Sequence, residues 1–221
     1  MPIPTAVLFD LDGTLVDSIE LIINSARHAF VGFAGRAPTD EEWRAGIGIP
    51  LVAAFRNYVS DEAEVERLIG RYREYQLANH DRLVHAYDDV ITTVRGLHEA
   101  GHPMAIVTSK ADWLAKRALE HVGLDASITV IVGCDAVTRH KPHPEPVERA
   151  LDLLDASASD AIFVGDSPHD VEAGRAAGVH TVGVTWGAFS PAEMAACGAD
   201  DVIHRMIDLP DVLARFADRR G

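Results

Sequence analysis

At 221 residues, with 48% hydrophobic and 24% charged side chains, the chain has room for one sizeable α/β domain or for a core with a smaller insert. A mean hydropathy of +0.03 excludes a disordered polymer, and no apolar run approaches the length of a membrane span. A formal charge of −14 argues against a nucleic-acid partner, because phosphate-backbone binding needs a basic surface.

The opening Met1-Pro2-Ile3-Pro4 has neither a basic region nor a long apolar stretch, so no export signal is expected and the cytoplasm is the expected compartment. The apolar run Ala6–Phe9 then delivers Asp10-Leu11-Asp12-Gly13-Thr14. Acids at i and i+2 point the same way while strand geometry persists. In one small space they repel unless a cation intervenes or one holds a proton. Ordinary folding asks for no such pair, so it reads as chemistry: Asp10 as nucleophile, Asp12 as acid/base, and Mg²⁺ between protein and phosphate.

From Ser18 to about Leu83 the pattern becomes helix after helix. Ile19–Phe30, Asp40–Ala45, 51–59 and 62–79 carry apolar residues at helical spacing, punctuated by Gly32, Gly35, Pro38, Gly46, Gly48 and Pro50. Residues 18–83 are therefore expected to form a helical cap, with 1–17 and 84–221 forming the core and hinges at 16–18 and 82–87. Beyond the cap, Met104–Val107 ends at Thr108-Ser109-Lys110 and 128–132 ends near Gly133. Ala161–Gly165 ends at Asp166, and 181–184 ends at Thr185-Trp186-Gly187. Continuous apolar strands alternating with helices predict a parallel sheet covered on both faces, a three-layer α/β Rossmann-like core. Ligands bind beyond the carboxyl ends of such strands, where these polar residues gather.

Asp10 to Thr14, Thr108-Ser109, Lys141 in His140-Lys141-Pro142, and Gly165-Asp166-Ser167-Pro168-His169-Asp170 together resemble the haloacid dehalogenase superfamily of phosphatases, in family order and with a helical cap after the first motif. The resemblance implies Mg²⁺-dependent hydrolysis through an aspartyl-phosphate on Asp10. It implies metal ligands from the Asp10 and Asp166 carboxylates and the Asp12 backbone carbonyl. Thr108, with neighbouring N–H groups, would hold phosphoryl oxygens, and Lys141 would balance their charge. Such a division of labour suits phosphoryl transfer, which is catalysed mainly by positioning and charge neutralisation.

Blander readings stand beside these. Thr108 or Ser109 can N-cap a helix over 113–121, and Lys141 can be an ordinary surface lysine. Asp170 follows Ser167-Pro168 at capping-box spacing; alternatively it supports the site from behind by orienting Lys141 or a metal-bound water. His140, His143 and His169 match no metal-ligand spacing, and Cys134 and Cys197, the only cysteines, read as free thiols. In the cap, the loop with Gly46 and Gly48 allows close backbone approach, and the flanking Arg44 and Arg56 are candidates to pair with a second negative charge or simply to solvate the outer face.

Within the superfamily, Asp12 argues against the dehalogenase branch. The absence of lysine from 16–86 argues against phosphonate cleavage by a cap Schiff base. A non-catalytic binding protein would not need Asp10, Asp12, Lys141 and Asp166 together, whereas a sugar-phosphate mutase shares all the core motifs. The segment from Asp10 to Ser18, with Thr108-Ser109-Lys110 and Gly183-Val184-Thr185-Trp186-Gly187, resembles phosphoglycolate phosphatases. By contrast, His85-Ala86-Tyr87-Asp88-Asp89-Val90 and the segment from His140 to Pro146 lean toward the pyrophosphate-hydrolysing branch. The leading expectation is a small phosphomonoester as substrate, with inorganic pyrophosphate as the alternative and no nucleic-acid or membrane partner.

Overall fold

A computed structural model of the chain describes residues 4–219. Apart from Pro4, the opening segment read for an export signal lies outside that range. In chain order the elements are β1 (Ala6–Phe9), β2 (Val16–Asp17), α1 (Ile19–Phe30), α2 (Asp40–Ala45), α3 (Leu51–Arg56), α4 (Glu62–Leu83), β3 (His85–Ala86), α5 (Val90–Glu99) and β4 (Met104–Val107). There follow α6 (Asp112–Val122), β5 (Val130–Val132), α7 (Glu145–Leu154), β6 (Ala161–Gly165), α8 (Pro168–Ala177), β7 (His180–Val184), α9 (Pro191–Ala196), β8 (Asp201–Ile203) and α10 (Leu209–Asp218).

Six strands form one parallel sheet in the order β5-β4-β1-β6-β7-β8. β1 is apolar throughout because both its faces are covered. Val7 and Phe9 join the side chains of α5, α6 and α10 in one core cluster, while Ala6 and Leu8 join those of α7 and α8 in another. That alternation is the period of two of a strand, and it makes the molecule three layers deep. From β1 the chain steps outward through β4 and β5, then returns to β6 and proceeds the other way. The reversal beside β1 opens a crevice at the carboxyl ends of β1, β4 and β6.

The helical insertion α1–α4 carries a core of its own, in which Phe30, Trp43, Phe55 and Tyr72 pack with Ile23, Val65 and Leu68. Trp43 and Phe55 have ring centroids 4.9 Å apart, within the range of favourable aromatic pairs. A two-residue antiparallel ribbon, β2 with β3, joins the two crossings between insertion and sheet, Val16 opposite Ala86 and Asp17 opposite His85. Among the described residues no helix is long and apolar enough to cross a membrane.

Several elements differ from the sequence reading. The strand expected over 128–132 is confined to β5, and β8 is an additional strand of three residues with Asp201 at its start. The helix expected to reach 59 stops at Arg56, whereas α4 runs on to Leu83 because Gln76 and His80 stay on its buried face. Finally, α6 takes Ala111 as its N-cap, so neither Thr108 nor Ser109 is spent on capping it.

Candidate active site

Strand ends supply the site. Asp10 follows β1 directly, its N–H held 2.9 Å from Val164 O of β6. Asp166 follows β6, Asp170 lies in the first turn of α8, and Lys141 precedes α7. All four are buried. Asp10, Asp166 and Asp170 each offer a carboxylate oxygen within 4.8 Å of the others. Lys141 Nζ lies 2.9 Å from Asp10 Oδ1 and 2.6 Å from Asp170 Oδ1, and it donates to Val107 O at 3.2 Å. Gly13 has φ +87°, and a Cβ there would fall 2.2 Å from Asp166 Oδ2. The turn thus needs glycine twice over, for its conformation and for the closeness of the carboxylate.

Three ionised carboxylates against one ammonium leave a formal charge of −2 in a buried space (3 × −1 from Asp10, Asp166 and Asp170, +1 from Lys141). Desolvation makes that costly. Burial pushes the Asp10 carboxyl up to about 7 despite the pull of Lys141. Asp166 is raised well above the carboxylate range by burial and then by Asp10 and Asp170. Lys141 is raised as well: burial works against its charge, but Asp10 and Asp170 more than compensate and hold it cationic. A hard divalent cation could meet the deficit, because it prefers oxygen ligands and brings two positive charges. The donor set fits such an ion. Asp170 receives Lys141 on Oδ1, and the Ser167 N–H (3.0 Å) and Oγ (2.6 Å) on Oδ2. Asp166 accepts one bond on each oxygen, from Thr14 Oγ1 (3.3 Å) and the Ala188 N–H (2.7 Å), and Asp10 meets Lys141. The capping reading of Asp170 and the reading that sets it behind Lys141 are therefore both satisfied by one side chain.

Asp12 stands apart from this trio. Its Oδ1 accepts from Ser18 Oγ at 2.5 Å and from Lys110 Nζ at 2.6 Å. The two acids of the first motif thus have separate cations, Lys141 for Asp10 and, for Asp12, Lys110, which follows Thr108-Ser109 at the end of β4. Sequence reasoning noted Lys110 in the motif without assigning it a partner. Its place at a strand end, as one of only three lysines, was the available signal.

Asp10, Asp12, Thr108, Ser109 and Lys110 line a cavity whose opposite wall belongs to the insertion, with Trp43, Gly46, Gly48, Tyr72, Arg73 and Gln76. Ser109 Oγ donates to the carbonyl of Gly48, a direct contact between sheet and insertion. Thr108 is buried, and its Oγ1 accepts the Lys110 N–H at 3.2 Å. Gly46 therefore lies at the cavity, as its candidacy required. Arg44 and Arg56 do not line it. Arg56 is exposed and forks onto Glu62 at 2.9 and 2.7 Å, and Arg44 is exposed on α2. The position of Arg56 matches the outer-face reading, whereas the charge of Arg44 is felt at Tyr87 of the core. The arginine at the cavity is Arg73, which carried no signal in the sequence beyond its place on a long helix.

A family profile described as haloacid dehalogenase-like hydrolase matches residues 7–184. The chain belongs to the haloacid dehalogenase-like hydrolase family. Enzyme class follows with it, a hydrolase of the phosphatase type. Among curated proteins it is similar to the pyrophosphatase PpaX of Bacillus cereus, 39% identical over 210 residues, covering 95% of this chain and 96% of that one. Similarity to PpaX of Listeria monocytogenes is 39% over 206 residues, covering 93% and 94%. Among solved structures it resembles a haloacid dehalogenase-like family hydrolase from Streptococcus pneumoniae, with a TM-score of 0.81, 26% identity, and coverage of 96% and 98%.

Proposed function

We propose that this chain hydrolyses inorganic pyrophosphate in a Mg²⁺-dependent reaction through an aspartyl-phosphate on Asp10, and that residues 18–83 serve as a cap over the core formed by 1–17 and 84–221. In the first half, an Asp10 oxygen attacks phosphorus, the bond to the bridging oxygen breaks, and its electron pair leaves on the departing phosphate. In the second half, Asp12 takes a proton from water, which attacks the same phosphorus and frees Asp10. Asp10, Asp166 and the Asp12 carbonyl would hold Mg²⁺, which supplies positive charge against the phosphoryl oxygens. Lys141 neutralises the nucleophile's side of the site, and Thr108 and Ser109 line the phosphoryl position. Asp170 keeps Lys141 aimed by accepting its charge-assisted hydrogen bond.

The observation that carries the choice of substrate is the 39% identity, over nearly the whole chain, to curated pyrophosphatases, which shifts weight away from the small phosphomonoester that the sequence put first. Lys110, paired with Asp12 at 2.6 Å, places a positive charge where a departing phosphate would need it, although Thr108-Ser109-Lys110 is shared with the phosphoglycolate phosphatase likeness. Steady-state rates on pyrophosphate, phosphoglycolate, sugar phosphates and nucleotides, with Mg²⁺ and with chelator, test it. The expected result is the highest kcat/KM on pyrophosphate, abolished by chelator. A higher value on phosphoglycolate would return the assignment to the phosphomonoester reading.

A further inference from the structure

The cavity contains a cation that the motifs leave unused. Arg73, in the middle of α4, lines it together with Asp12, Ser109 and Lys110. Its Nη1 donates to Gln76 Oε1 at 2.7 Å, and its guanidinium carbon lies 5.8 Å from the centroid of the Trp113 ring on α6. Among the described residues, those partners are neutral. Arg27, Arg56, Arg67, Arg117 and Arg139 each reach a carboxylate at the surface, and Arg71, Arg82 and Arg95 donate to neutral oxygens there, whereas Arg73 lies at the cavity. Arg73 is partly withdrawn from water, and burial lowers its pKa, with the charges of Asp12 and Asp135 opposing, yet among the described residues no carboxylate forms an ion pair with it. A planar guanidinium fixed by one hydrogen bond and one aromatic face keeps the rest of its donor fork for a ligand, and that fork matches phosphate oxygens.

We propose that Arg73 binds the phosphoryl group that is not transferred, so that Arg73 and Lys110 bracket the leaving phosphate and select a diphosphate over a monoester with an uncharged leaving group. This rests on the pyrophosphatase reading and adds its selectivity residue. The charge sits on the insertion, facing the sheet across the cavity, so it acts on whatever lies beyond the phosphoryl group held at Asp10. Trp113 and Gln76 hold the guanidinium at the seam between the two parts.

The test compares wild type, Arg73→Gln, Arg73→Lys and, as control on the same helix, Arg67→Gln, on pyrophosphate and on para-nitrophenyl phosphate. Arg73→Gln is expected to lose about 10- to 100-fold more kcat/KM on pyrophosphate than on the monoester, the scale of a charge-assisted hydrogen bond. The loss should fall mainly in KM, with Arg73→Lys recovering part of it and Arg67→Gln matching wild type. Competitive inhibition by methylenediphosphonate and by methylphosphonate reads the same discrimination without turnover. Equal losses on both substrates, or an unchanged preference for the diphosphonate, would overturn the role of Arg73. A wild type that cleaves pyrophosphate poorly would overturn the substrate reading, and the inhibitor preference would still decide Arg73.

Discussion

Asp10 and Lys141 are the residues whose electrostatics decide most. Asp10→Asn removes the attacking oxyanion and one of three crowded negative charges, while Lys141 keeps Asp170 at 2.6 Å. Turnover should vanish, and the melting temperature in chelator should equal or exceed that of wild type, because the formal local charge falls from −2 to −1. Near-normal activity in that variant would remove Asp10 as nucleophile. Lys141→Met has the opposite thermodynamic sign, since it strands three buried carboxylates without a cation. Breaking a buried ion pair from one side costs about 3–5 kcal/mol, and urea unfolding in chelator should show a loss on that scale.

At the level of elements, the insertion stands on its own aromatic core. Phe55 is fully buried there, so Phe55→Ala should cost about 3–5 kcal/mol in transfer and cavity terms. Hydrogen exchange should accelerate across α1–α4 and leave β1, β4 and β6 protected; uniform acceleration would mean that the two parts unfold together. The end of α4 holds a pH-dependent contact. The His80 side chain is buried, with Nδ1 2.7 Å from Asp81 Oδ1 and its ring edge-on to His121. Among the described residues Nε2 has no partner. Burial lowers the His80 pKa, with Lys110 and Arg117 acting in the same direction and Asp81 opposing. The folded form then takes up a proton less readily than the unfolded chain, whose histidine titrates near 6.5. Stability contributed at this site is therefore constant at high pH and declines as pH falls through about 6.5. Urea titrations of wild type and His80→Gln should diverge as pH is lowered through that value, with wild type losing more.

For the whole molecule, a divalent ion bound at the negatively charged crevice would add to global stability. A ligand that binds only the folded state at 100 times its Kd stabilises by about 2.7 kcal/mol, which for a chain of this size raises Tm by about 5–10 °C. Mg²⁺ should produce a rise on that scale over chelator, and Asp166→Asn should shrink it; an identical Tm in both conditions would argue that protons, not a cation, settle the buried charge. Access to the crevice belongs to this scale as well. The Ser109 contact to Gly48, the β2–β3 ribbon and the Arg73–Trp113 contact are among the places where sheet and insertion meet.

The parallel core and the helical insertion were readable in the sequence, as were the candidate residues Asp10, Asp12, Thr108 and Asp166, which stand at the ends of apolar runs where local pattern implies the ligand side of the sheet. Lys141, in a loop, and Asp170, in a first helical turn, were singled out only by the family resemblance. Edge strand β8 was not readable: three residues with an acid at the first position carry no periodicity, and their pairing with β7 comes from the sheet already built. The cation partners were likewise beyond local reading. Lys110 meets Asp12 across 98 positions, a contact created by β1 and β4 lying side by side. Arg44 and Arg56 flank the cavity loop in sequence, yet Arg73 is the arginine at the cavity. Helical periodicity tells which residues share a face but not what that face will meet, and only the docking of α4 over the crevice turned an ordinary helix arginine toward the site.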